Sequence, residues 1–122
     1  MIAVLTLLAG ATGALARFLL DASIKQRWRS PFPLATVVIN VTGSALLGML
    51  AGIVLFHGES SMWQTVVGTG FCGGYTTFST ASFETVRLVQ QDRRALALLN
   101  AIGSLITSVG ACAVGLAVAW AL

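Results

Sequence analysis

Met62 begins an apolar run that extends to about Gln90, too long for one straight crossing of a bilayer and interrupted by Gly68, Gly70, Gly73 and Gly74. Its centre, Gly68 to Glu84, reads GTGFCGGYTTFSTASFE. Backbone that leaves the helix inside hydrocarbon cannot face lipid, because its amide and carbonyl groups go unpaired there; such a break survives only against protein or beside a polar cavity. A break near residues 70–76 is therefore expected, and it marks a site. Thr76, Thr77, Phe78, Ser79 and Thr80 follow it and put hydroxyls, one ring and unpaired N–H groups at the start of a second half-helix, a place suited to a small ion.

The rest of the chain supplies the setting. Of its 122 residues, 57% are hydrophobic and 9% charged, more apolar surface than a water-soluble domain of this length can bury. An all-α membrane protein is expected, with spans over about 2–20, 34–56, 62–90 and 95–121 filling one domain, 1–122. Little chain remains outside the bilayer, so neither an enzyme nor a nucleic-acid binder is expected. The first run lacks a basic leader and has Arg17 and Asp21 at its far end, which reads as a retained span. Cys72 and Cys112 fall within spans, without the spacing of a zinc site or a redox pair.

Arg17 either anchors the end of the first span, pairing with Asp21 or reaching the headgroups, or draws anions towards a vestibule. The next loop carries Lys25, Arg27, Trp28 and Arg29, and Pro31 and Pro33 precede the second span. There Asn40, flanked by Val38, Ile39 and Val41, needs a polar partner: it either joins helices or donates to an anion in a water-filled path. Gly48 and Gly52 have the spacing of a close helix contact. His57 looks solvated, and Glu84 stands three residues from Arg87, in reach for a pair. The basic residues of the first and third loops share one face, which the positive-inside rule makes cytoplasmic, with both termini outside. In the last span Asn100, Ser104, Ser108 and Cys112 recur every four residues as a polar stripe, either a track or a tight helix seam.

No carboxylate, lysine or histidine lies near the middle of a span, so proton-coupled chemistry lacks its groups. Asn40, Thr76, Thr77, Ser79, Thr80, Asn100, Ser104 and Ser108 offer uncharged donors that hold an anion without trapping it. The positive edge of Phe78 can replace part of an anion's water shell, and carbonyls bared at Gly73 and Thr76 suit a monovalent cation.

GFCGGYTTFST at Gly70–Thr80, VINVTGSALLG at Val38–Gly48 and GATGALARF at Gly10–Phe18 resemble signature stretches of the Fluc/CrcB fluoride channels, and the resemblance covers essentially the whole chain. It implies an antiparallel dimer in the cell membrane that exports fluoride passively through two pores, with a sodium ion on the twofold axis. Backbone oxygens of Gly73 and Thr76 would ligate that sodium. Asn40, Phe78, Ser79, Thr80, Asn100, Ser104, Ser108 and Cys112 would line the fluoride route. Ala81 stands where the family usually has a second Phe, and Phe83 points to nearly the opposite helix face. The one-sided loop charge leaves two assemblies open, a homodimer or a heterodimer with a partner of reverse bias. Two other readings compete. A small multidrug-type antiporter needs a carboxylate inside the first span, where Asp21 is too shallow; a non-conducting helical assembly subunit does not need a broken third span.

Overall fold

The computed structural model describes Met1–Leu122 as an all-helical chain. Helix α1 spans Ile2–Arg27 and α2 spans Leu34–His57. A third rod, α3, is assembled from Ser61–Trp63, a wider π-helical stretch Gln64–Cys72, and Gly73–Tyr75. Helix α4 is Phe78–Gln90, and α5 runs Arg94–Ala121 with a π-helical stretch at Leu99–Gly103. Three of these, α1, α2 and α5, are long and apolar enough to cross a membrane by themselves.

Local chemistry sets the ends. Helix α1 continues past its apolar run because Lys25 pairs with Asp21 one turn earlier at 2.8 Å, a contact of the i,i+4 type that supports an exposed last turn. Asp21 is thereby taken, and Arg17 turns elsewhere. Pro33 occupies the N-cap of α2, and Gly58 closes that helix in the left-handed region at φ 65°. Ser60 caps α3 by accepting from the Met62 N–H, and Thr77 caps α4 by accepting from the Thr80 N–H at 3.2 Å. Asp92 turns the chain into α5 with φ 55°, a conformation that a short polar side chain tolerates.

The helical path stops at Thr76 and Thr77, whose backbones are extended (φ −78°, ψ 160° and φ −151°, ψ 118°). The glycines before them lie within helical turns and do a different job from the one their composition suggested. A Cβ on Gly70 would stand 2.7 Å from the Thr6 carbonyl, one on Gly74 would strike the Gly10 carbonyl, and one on Gly13 the Phe71 carbonyl. They let α1 and α3 touch backbone to backbone, as small residues do where association relies on packing. Helices α2 and α5 meet in the same way: a Cβ on Gly48 would strike the Cys112 carbonyl, and one on Gly115 the Ala45 carbonyl. His57, which read as solvated, instead bonds through Nε2 to the Ala119 carbonyl at 2.8 Å and ties the end of α2 to the end of α5.

Only 16 of 122 residues are buried, so most Leu, Ile, Val and Phe side chains point outward, the arrangement expected when lipid or another helix is the solvent. Gly74→Val should therefore lower the melting temperature in detergent, by a destabilisation of about 1–3 kcal/mol for forced overpacking. Gly103→Ala, whose Cβ would meet nothing closer than Leu99 Cδ1 at 3.5 Å, should leave it unchanged or slightly raised.

Candidate functional site: a groove at the helix interruption

A groove of about 630 Å³ opens where the path stops. Asn40, Gly43, Ser44 and Leu47 form its α2 wall, while Asn100, Ala101, Ser104, Leu105 and Ser108 form its α5 wall. Gly68, Cys72, Gly73 and Thr76 come from the end of α3, followed by Thr77 and then by Phe78, Ala81, Ser82, Thr85 and Val86 of α4.

Asn40 holds the interruption at two points. Its Nδ2 donates to the Thr77 carbonyl at 2.9 Å and its Oδ1 accepts from the Thr77 N–H at 2.8 Å. In a continuing helix that N–H would close onto the Gly73 carbonyl; turned aside, it leaves the Gly73 oxygen without its regular partner. Asn40 thus joins helices and also lines the groove, and its amide keeps one N–H beyond the clamp.

Asn100 is the other carboxamide, 1% exposed. It donates to Thr85 Oγ1 at 2.8 Å and to the Ala81 carbonyl at 3.3 Å, and accepts from Ser104 Oγ at 3.2 Å. This fastens α5 to α4 and uses both amide donors. Thr85 is a partner that spacing along the chain did not reveal, because its role depends on which face of α4 meets α5. The remaining hydroxyls divide by what they donate to. Thr76, Ser82 and Thr85 donate to the carbonyls of Cys72, Phe78 and Ala81 at 2.8–2.9 Å, and Thr77 donates to Thr80 Oγ1 at 2.9 Å.

Several expected site residues stand apart from the groove. Ser79 and Thr80 belong to the α4 cap around Thr77 Oγ1. Cys112 presents its carbonyl to Gly48 in the α2–α5 seam. Arg17 reaches the interruption from α1, its Nη1 lying 3.4 Å from the Thr76 carbonyl. Phe78 is 87% exposed and is the one aromatic ring on the groove wall, while at Ala81 only a methyl group stands.

Nearer the basic loops, Thr36 Oγ1 donates to Glu84 Oε1 at 3.0 Å, so Glu84 pairs with α2 and not with Arg87 as its spacing suggested. Its Oε2 is buried without a partner, beside a smaller cavity of about 240 Å³ lined by Lys25, Trp28, Pro31 and Arg87 among others.

No group of three or more His, Cys, Asp or Glu side chains could hold a metal ion. Hard carbonyl oxygens are the donors on offer. Those of Gly73 and Thr76 fit a monovalent cation in chemistry, the first freed by the Asn40 clamp and the second already attracting the Arg17 guanidinium. A Cβ on Gly73 would meet nothing within 4 Å, so that flank is open to an approaching group.

The family described as CrcB-like protein, Camphor Resistance (CrcB), matches residues 4–116. Similar curated proteins include one named fluoride-specific ion channel FluC 1 from Leifsonia xyli subsp. xyli (strain CTCB07), 49% identical over 109 residues that cover 89% of this chain and 80% of that one. One named fluoride-specific ion channel FluC 2 from Cutibacterium acnes (strain DSM 16379 / KPA171202) is 50% identical over 111 residues, covering 90% of each. Another FluC 2, from Mycobacterium tuberculosis (strain ATCC 25618 / H37Rv), is 40% identical over 109 residues, 89% of this chain and 83% of its own.

If the clamp holds the interruption, Asn40→Ala should destabilise the fold by about 1–3 kcal/mol for each Thr77 group left unpaired out of contact with water. A thermal melt in detergent measures the loss, and amide exchange at Thr77 should speed up while exchange in the α2–α5 seam does not.

Proposed function

This chain belongs to the Fluc/CrcB family, and on that premise we propose that it is a passive, fluoride-selective channel of the cell membrane, not an enzyme. The observation that carries the reading is the groove, where uncharged hydrogen-bond donors meet an interrupted helix. In this proposal α3 and α4 together make the remaining crossing, with the interruption at membrane depth, where extended backbone is tolerated only beside protein or a polar path. Donors and an aromatic edge then meet in one place, with no charged side chain among the groove-lining residues to trap the ion.

A small anion must shed strongly bound water to pass. The remaining Asn40 N–H and the Ser104 and Ser108 hydroxyls would replace part of that water, with the edge of Phe78 closing one side. Asn100 keeps α5 in register with α4, and Ser79 and Thr80 act through the cap that sets where Phe78 points. Cys112 continues the stripe beyond the groove. The Arg17 guanidinium adds positive potential near the interruption and so favours anion approach.

The proposed assembly is an antiparallel dimer. A ring as exposed as Phe78 and an open flank at Gly73 support a second chain against this face. Across such an interface Gly73 and Thr76 of each chain would hold a sodium ion through their carbonyls, and its positive charge would offset the anion's cost in a low-dielectric interior. Lys25 and Arg27 in the last turn of α1, Arg29 in the loop after it, and Arg93 and Arg94 at the turn into α5 gather the positive charge at one end, a bias that favours a single insertion direction. A partner inserted the opposite way would then be a second, related chain; identical chains would have to overcome the bias.

Liposomes reconstituted with the purified chain alone decide the main point. We expect fluoride efflux down its gradient with little chloride movement, and crosslinking to report two subunits. Chloride leaving as fast as fluoride overturns the selectivity. Silence that ends when a related chain is co-reconstituted identifies the heterodimer. If Thr76 acts through its carbonyl, Thr76→Ser should keep the parent's sodium dependence, conducting in sodium and losing flux when sodium is exchanged for an organic cation, whereas complete loss of flux in sodium would assign the role to the side chain.

A further inference from the structure

Two groove hydroxyls differ from all the others. Thr76, Thr77, Ser82, Thr85 and Ser104 each donate to a protein acceptor, and only Ser44 and Ser108 have none. A helical serine ordinarily bonds back to the carbonyl one turn earlier. Neither does so here. Nor is either oxygen sealed away, because Glu84 Oε2 is the one buried side-chain polar atom lacking a partner and both serines are only partly exposed.

The helix register brings these two hydroxyls to neighbouring turns of packed helices. Gly48 packs on the Cys112 carbonyl and Gly52 lies 3.2 Å from the Leu116 carbonyl by its Cβ position, so α2 and α5 run side by side in the same direction. One turn before the Gly48–Cys112 contact on each helix lie Ser44 and Ser108, and because Gly115 in turn meets the Ala45 carbonyl the two serines fall within about one turn of each other. Both line the same groove, one on each wall, with Asn40 a further turn along from Ser44.

We propose that Ser44 is a fluoride-contacting residue that donates, together with Ser108, to one dehydrated anion in the groove. The inference deepens the fluoride-channel reading and rests on it. An O–H with no competing protein acceptor need give up only water to turn towards an ion, so an ion placed between the walls gains two charge-assisted hydrogen bonds at once. Hydroxyls already engaged must break a bond first. Two unengaged donors also suit the smallest halide best, because its high charge density makes it the strongest hydrogen-bond acceptor of the series. Ser44 therefore contributes selectivity as well as rate. Asn40 would hand the ion on from its remaining N–H, one turn away on the same helix.

The test uses the full chain in liposomes with a fluoride electrode. Ser44→Ala should lower fluoride flux by about tenfold or more, the loss expected for one hydrogen bond to a charged group. It should also raise the fluoride concentration giving half-maximal flux, while elution volume and melting temperature stay as in the parent. Ser108→Ala should do the same. If both donors hold one ion, the double variant should lose much less than the product of the single losses, since removing either donor already disrupts the shared site. Parent-like flux in Ser44→Ala overturns this inference and leaves the channel reading intact. Strictly multiplicative losses also overturn it, by placing the serines at separate points. A parent chain that conducts no fluoride in any pairing overturns the channel reading and the inference with it.

Discussion

Two hydrogen bonds between Asn40 and the backbone of Thr77 hold the interruption around which the groove is built. An interruption inside an apolar bundle leaves peptide groups without their regular partners, and each such group costs free energy unless something answers it. A carboxamide is the side chain that can answer both needs at once, with a donor and an acceptor in one plane. Because Asn40 sits on α2, satisfying Thr77 also fixes where the second half-helix starts. The position of Phe78, the freed Gly73 carbonyl and the width of the groove follow from that choice.

The rest of the bundle reads as support for this arrangement. Glycine faces bring α1 against α3 and α2 against α5 with backbone in contact, which leaves little slack for the walls to shift. The Asn100 network fastens α4 to α5 beyond the groove, and Thr36 with Glu84 fastens α4 to α2 nearer the basic loops. These polar ties are few, but each joins different helices. In an apolar surrounding such bonds specify which faces meet, whereas apolar side chains accept many neighbours.

How much of this could be read from residues alone depends on whether the signal was local. The long apolar runs and the crowd of glycines before Thr76 announced membrane helices and an irregular third segment, because both are statements about composition along the chain. The glycines themselves did not mark the irregular point. Their effect depends on what stands opposite, and the Thr6, Gly10 and Phe71 carbonyls belong to contacts far away in sequence. The same limit explains Arg17, drawn to Thr76 and not to the nearby Asp21, and Glu84, paired with Thr36 and not with Arg87. Spacing suggested partners one turn away; the fold supplied partners on other helices. Ser44 was hidden for a further reason. Between Gly43 and Ala45 it belongs to a run of small residues that reads as seam, and only the register against α5 turns it towards the groove.

The pairing of α1 with α3 and of α2 with α5 has a consequence for how the chain is made. Helices emerge from the ribosome in order, yet neither of the first two meets its backbone-close companion in its immediate successor. During synthesis α1 must wait for α3, and α2 must wait until the last segment has left the insertion machinery. Until then the glycine faces of α1 and α2 lack the backbones they pack on in the finished fold. Biogenesis is therefore completed late and from the carboxyl-terminal end, so loss of the final helix removes the companion of α2 and leaves a groove with one wall.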